Sequence, residues 1–216
     1  MIPEFGISDV FLLLQGLKWT IALAAIAVIG GGVMGLGIAL LRTSEYPFVR
    51  WLTTGYIEVF QGTPLLMQLF VVYYGVSLLN LDISAWAAAA LGLTAHASAF
   101  LGEIWRGGIE AVAKGQSEAS KALGLKYFDR MQAIVLPQAF RVSLPATVGF
   151  IVGLIKGTSL CAIIGFTELT RAGQVVANTT FEPFMVFGIV GALYFGLCWP
   201  LSNFGTRIER KLATGR

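Results

Sequence analysis

Five long apolar runs leave this chain few ways to fold. Trp19 to Leu41, Gly62 to Leu81, Ile83 to Gly102 and Pro183 to Thr206 carry no charged side chain, and Val142 to Thr167 carries one, Lys156. An α-helix rises about 1.5 Å per residue and a bilayer's hydrocarbon core is about 30 Å thick, so each run can cross it. Backbone groups in lipid pair within a helix or around a closed barrel, and these runs lack the period-two alternation of barrel strands. The pattern predicts an all-α polytopic membrane bundle with five transmembrane helices, at about 19–41, 62–81, 83–105, 138–165 and 183–206. Residues 1–216 read as one domain. A composition of 56% hydrophobic and 12% charged residues excludes an ordinary soluble domain.

Cationic side chains in short loops stay on the cytoplasmic side, so their distribution sets orientation. Arg42 and Arg50 follow the first run. Arg106, Lys114, Lys121, Lys126, Arg130 and Arg141 lie between the third and fourth, and Arg207, Arg210, Lys211 and Arg216 close the chain. These cations share one face, which predicts a multi-pass protein with its N-terminus outside and its C-terminus cytoplasmic. The net charge of +3 is then a matter of topology, and nucleic acid is not an expected partner.

The first 18 residues carry Glu4 and Asp9 and no cation before Lys18, unlike the positive start of a cleaved secretion signal. Val10, Phe11, Leu13, Leu14 and Leu17 recur at helical spacing, which predicts a short helix along the outer membrane surface. Cys161 and Cys198 fall in apolar runs, where an isolated Cys acts as a small apolar residue; neither a disulfide nor a metal site is expected. His96 reads as a hydrogen-bonded packing residue. No Ser, His and Asp set is available, and Lys156-Gly157-Thr158 has the wrong order and setting for a phosphate loop. No catalytic residues and no bound cofactor are expected in this chain.

The hydrophilic segment 107–137 is the most informative loop. Gln116 to Leu123 carries good helix formers, and Gly124 suits a left-handed helix stop. Ala119, Ser120 and Ala122 are small enough for close approach by another surface, while Leu123, Leu125, Tyr127 and Phe128 form an apolar body that a partner or the bundle has to cover. Helical character resumes from Tyr127 to Leu136, with Pro137 at a kink or a first turn. A plain connecting loop is the alternative.

The run Glu118-Ala119-Ser120, Gly124, Ile134, Leu136-Pro137 resembles the EAA loop of permease subunits of ATP-binding-cassette (ABC) importers, with Ser120 where Ala is usual. Tyr56 to Leu66, Gly102 to Ile109 and Lys156 to Leu160 resemble the subgroup for polar amino acids and opines, including the histidine, glutamine and glutamate permeases. Gln61 stands where Arg is common there, and Gly157 where a polar or acidic residue is common. The resemblance implies a type I permease fold in the bacterial cytoplasmic (inner) membrane. It also implies a coupling helix that docks on an ATPase, with Glu118, Ala119, Ser120 and Gly124 shaping the contact and Ile134, Leu136 and Pro137 bracing it. The implied partners are two ATP-binding-cassette ATPase subunits holding ATP and Mg, a second identical or homologous permease, an extracytoplasmic solute-binding protein, a polar amino-acid substrate and the lipid bilayer.

Other polar residues admit two readings. Glu58, Gln61 and Thr63 either line a pathway or serve helix geometry, since Gly62-Thr63-Pro64 is good chemistry for starting a helix. Glu103 lies one turn before Arg106, close enough to pair. Lys156, alone in its run, costs about 2.5–3.5 kcal/mol at a helix centre and needs water or a partner. With Thr158 and Ser159 it forms an anion contact in a substrate pathway, or else it makes a structural pair or snorkels toward the outer surface. Gly30, Gly31, Gly32, Gly35 and Gly37 suit a close helix seam or local flexibility. A channel or secondary transporter working without ATPase subunits, and a membrane scaffold, remain as alternative classes.

Overall fold

The structure, a computed structural model, describes residues 5–44, 46–78 and 80–214, without the side chains of 213 and 214. Glu4 and Arg216 lie outside these residues. In chain order the helices are α1 (Ile7–Arg42), α2 (Pro47–Gly62), α3 (Leu65–Leu78), α4 (Ala85–Glu110), α5 (Lys114–Ala122), α6 (Tyr127–Arg130), α7 (Leu136–Gly157), α8 (Leu169–Thr180) and α9 (Pro183–Thr214). A π-helical turn, Met131–Val135, joins α6 to α7, and a 3-10 turn, Thr158–Ala162, follows α7. No strand occurs among the described residues.

The hub is α4, which packs against α1, α2, α3 and α7. Of its apolar window 56% is buried, against 11% for α9, so α4 fills the centre while α9 keeps most of its surface for lipid or other subunits. Small residues make the packing possible. The buried stripe of α1 runs Leu13, Gly16, Thr20, Leu23, Ala24, Ala27, Gly31, Gly35, Ala39, one face at three- and four-residue spacing. A Cβ added to Gly31 would lie 2.5 Å from Ala97 Cβ, and one on Gly35 would lie 3.0 Å from the Gly102 nitrogen. The glycine seam predicted in the first span is therefore the α1–α4 contact at Gly31 and Gly35. Gly37 faces open space and takes no part.

Three expectations need correction. The surface helix expected before Trp19 is instead the first part of α1, which runs unbroken for 36 residues. It contains no proline, and α8 holds this end in place: Leu13 packs with Leu169, Ala172 and Val176, while Gly16 lets Ala172 and the Leu169 backbone come close. The second span is broken. α2 and α3 meet at 106°, and α3 alone has 14 residues, too few to cross about 30 Å. Pro64 is the cause, because a residue before proline is driven out of the helical region, and Thr63 is extended at φ −120°, ψ 143°. The fourth span ends as an α-helix at Gly157, not at residue 165, and passes through the 3-10 turn into α8. Among the described residues, four helices are long and apolar enough to cross a membrane, and the bent α2–α3 pair makes a fifth when taken as one span.

Candidate functional site

The segment between α4 and α7 projects a short helix whose end is set by its sequence. At the C-terminus of α5, the Gly124 N–H donates to the Lys121 carbonyl (2.9 Å) and the Leu125 N–H to the Ser120 carbonyl (3.1 Å). Gly124 has φ +77°, so this is a Schellman stop built on the left-handed conformation that glycine adopts without penalty. Glu118 and Ala119 lie on the exposed side. Ser120 does not: it is 2% exposed, and its hydroxyl donates to the Ser117 carbonyl (2.8 Å), so it packs α5 onto the rest of the chain instead of presenting a surface. On either side of the stop, Leu123 is 81% and Phe128 79% exposed, so the bundle leaves this apolar body uncovered.

Below α5 the chain runs without interruption from Tyr127 through the π turn into α7. Pro137 has no N–H to donate backward, and it falls at the first turn of α7, just after the π turn. α5 rests on this π turn. The residues that anchor the turn are Met131 and Val135, both buried; Ile134 and Leu136 are half-buried and Pro137 is exposed. In the stretch where Ile134, Leu136 and Pro137 are expected to brace the loop, the residues buried against the bundle are Met131 and Val135.

Charged side chains tie the helices together beside this segment. The expected pair is present: Arg106 Nε donates to Glu103 Oε2 (2.9 Å), and Arg106 Nη2 to Glu103 Oε1 (2.5 Å). Arg106 also pairs with Glu110 (2.5 Å), and Arg42 at the end of α1 with Glu103 (3.5 Å). Arg42 Nη1 donates to the Thr54 hydroxyl of α2 as well. Bidentate arginine contacts of this kind fix geometry as well as charge. They couple the end of α1 to the last turns of α4 and to the middle of α2.

The α2–α3 bend is held by a residue that the sequence reading missed. Gln68, buried on α3, donates its amide to the Phe60 carbonyl (2.7 Å) and toward Thr63, while its Oε1 meets His96 Nδ1 at 2.9 Å. The Thr63 hydroxyl donates to the Val59 carbonyl (2.7 Å). Together Gln68 and Thr63 satisfy carbonyls left over at the end of α2, as irregular backbone at membrane depth requires. Thr63 therefore finishes α2 instead of capping α3. His96 packs with Phe100 and Phe150, in keeping with a hydrogen-bonded packing role. Glu58 and Gln61 are exposed on α2. A glutamine in an apolar helix one turn after a Gly-Thr-Pro break is the signal that could have found Gln68.

Lys156 lies in the last turn of α7, on its exposed side, where a cation favours the helix dipole. The hydroxyls beside it are engaged: Thr158 donates to Ile155 O (2.7 Å) and is buried, and Ser159 donates to Lys156 O (2.7 Å). Lys156 and Thr158 thus do not present a common donor surface. Gly157 meets α3, since a Cβ there would lie 3.0 Å from Leu65 Cδ2. The break after Gly62 and the turn after Gly157 are therefore brought together.

A second unanticipated centre is Glu168, fully buried before α8. It accepts from the N–H groups of Thr170 (2.8 Å) and Arg171 (2.9 Å) and from the Tyr194 hydroxyl (2.9 Å), with the Thr20 hydroxyl at 3.5 Å. Burial raises its pKa, against hydrogen bonds that favour the ionised form. This carboxyl joins α1, α8 and α9.

Residues 31–213 match the family model described as the binding-protein-dependent transport system inner membrane component. The arginine transport system permease protein ArtQ of Bacillus subtilis (strain 168) is 35% identical over 208 residues, 95% of this chain and 94% of ArtQ. The nopaline transport system permease protein NocM of Agrobacterium fabrum is 35% identical, covering 88% and 83% of the two chains. Among solved structures, an amino acid ABC transporter crystallised with histidines superposes with a TM-score of 0.87 at 34% identity, covering 95% of this chain and 96% of that one. The MetNI methionine ABC transporter shares the fold alone, with a TM-score of 0.81 at 19% identity over 96% and 99% of the chains. The exposed α5, its π-turn support and the bent second span thus belong to a transmembrane permease subunit, and this chain is a member of the family of binding-protein-dependent transport system inner membrane components.

Proposed function

We propose that this chain is the permease of an ATP-driven importer that moves polar amino acids or related compounds into the cytoplasm of a bacterium. The observation that carries this reading is α5: a short helix with a fixed stop, exposed on Glu118 and Ala119, beside an uncovered Leu123 and Phe128. Two ATPase subunits holding ATP and Mg supply the work, and this chain has no catalytic role. Their closure displaces α5, the π turn passes the displacement into α7, and the ion-paired ends of α1 and α4 move with it, with α2 tied on through Thr54. A second permease completes the pathway, and a binding protein outside the membrane delivers the solute. The N-terminus faces outward and α5 the cytoplasm. Lys156, Ser159, Glu58 and Gln61 supply polar contacts along the pathway, while Thr63 and Thr158 shape its wall.

The test is a disulfide-trapping experiment on the assembled transporter. Cysteine at Ala119 is expected to cross-link to cysteines placed around the ATPase groove that receives α5, and amino acids delivered by the binding protein are expected to stimulate ATP hydrolysis in liposomes. Cross-links that never capture an ATPase, or amino-acid flux that proceeds without nucleotide, would refute the reading.

A further inference from the structure

Beside α5 lies an open groove of about 580 Å³ that the transport role leaves without an assignment. Among the described residues, Arg42, Arg50, Lys114 and Arg130 line it with one carboxylate, Glu110, and with Tyr127. Among the described residues its charge is not balanced. Arg42 shares Glu103 with Arg106, and Glu110 is taken by Arg106. Arg130 stacks over Tyr127 at 5.5 Å, and Arg50 and Lys114 have no carboxylate partner among the described residues.

The groove lies where the apolar run of α1 ends at Leu41, so it is at the height of lipid headgroups. The start of α2 beside it carries Tyr46, Phe48 and Trp51, all exposed, with Phe48 and Trp51 stacked at 6.3 Å. Exposed aromatic residues at the end of a span mark the membrane–water interface. A surplus of guanidinium and ammonium groups at that depth suits a phosphate, and arginine recognises phosphate oxygens in two-point contacts. We propose that this groove binds the headgroup of an anionic phospholipid from the leaflet on the α5 side, with Arg50 and Arg130 as its principal contacts. Acidic side chains of the ATPase are the rival occupant. The aromatic side chains favour lipid, because Tyr46, Phe48 and Trp51 cluster at the end of a span, the depth at which aromatic rings sit between headgroups and acyl chains. The proposal rests on the reading of α5 as the docking helix only for the leaflet it names.

The experiment is native mass spectrometry of the intact transporter, with phosphatidylglycerol or phosphatidylcholine added in mild detergent. The wild-type complex is expected to retain phosphatidylglycerol preferentially and to keep it in the presence of inorganic phosphate. Neutralising one cation near an anionic surface weakens binding about five-fold, so the doubly substituted R50Q/R130Q complex is expected to lose about 30-fold in retention with its ATPases still bound. Equal retention of the two lipids by the wild type would overturn the proposal even if the variant fails to assemble. So would undiminished retention by the variant, displacement of the lipid by inorganic phosphate, or loss of the ATPases from the variant, which would give these cations to the protein partner. If ATPases fail to co-purify with the wild type, the docking role of α5 falls, while the lipid measurement still decides this proposal.

Discussion

Single residues carry two kinds of polar work here, and they respond differently to substitution. Glu168 is a buried carboxyl that satisfies the first turn of α8 and the Tyr194 hydroxyl. Its pKa is raised by burial, so the folded chain binds the proton more tightly than the unfolded one. The associated stability is present below the ordinary carboxylate pKa and is lost as pH rises through the raised value. Thermal unfolding in detergent is expected to show this loss in the wild type and a flatter profile in Glu168→Gln over the same window. Lys156 is different, being exposed and unpaired with any carboxylate among the described residues. If it meets a substrate carboxylate, Lys156→Met removes a charge-assisted contact of about 1.5–3 kcal/mol, a ten-fold or larger fall in uptake. Unchanged uptake at normal expression would remove Lys156 from the pathway.

Among the helices, contacts are set by small residues and by breaks. Gly31 lies so close to Ala97 that a side chain there forces α1 from α4; Gly31→Val is expected to cost about 1–3 kcal/mol, read as a lowered unfolding temperature in detergent. The bend between α2 and α3 depends on Gln68. Gln68→Leu leaves the Phe60 carbonyl and the His96 ring without their partner, an expected loss of about 1–3 kcal/mol for the buried polar group. Proteolysis or cysteine accessibility near Thr63 is expected to rise in that variant and to stay at wild-type level if the bend stands without the amide. Several of these features were legible in the sequence. Gly124 announces the end of α5, and the spacing of Glu103 and Arg106 announces their pair, because both are local events within one helical turn. The burial of Ser120 and the anchoring by Met131 and Val135 were not, because they depend on which face of a short helix meets a distant turn.

Across the whole molecule, topology is the property to measure. Cysteine at Asn80, between α3 and α4, is expected to react with a membrane-impermeant thiol reagent from the outside of intact cells, and cysteine at Lys126 only after permeabilisation. The reverse pattern would invert the orientation proposed here. By itself the sequence determined that the chain is an all-α membrane bundle, where its polar loop falls and how that loop's helix stops, because apolar length, charge and glycine act over a few neighbouring residues. Only the tertiary structure decided that α1 runs unbroken past the membrane edge to meet α8, that the second span bends by 106°, and that Gln68 and Glu168 hold the joints. The physical reason is that a buried polar group takes its meaning from partners far along the chain: Glu168 meets Thr20 across 148 positions and Gln68 meets His96 across 28.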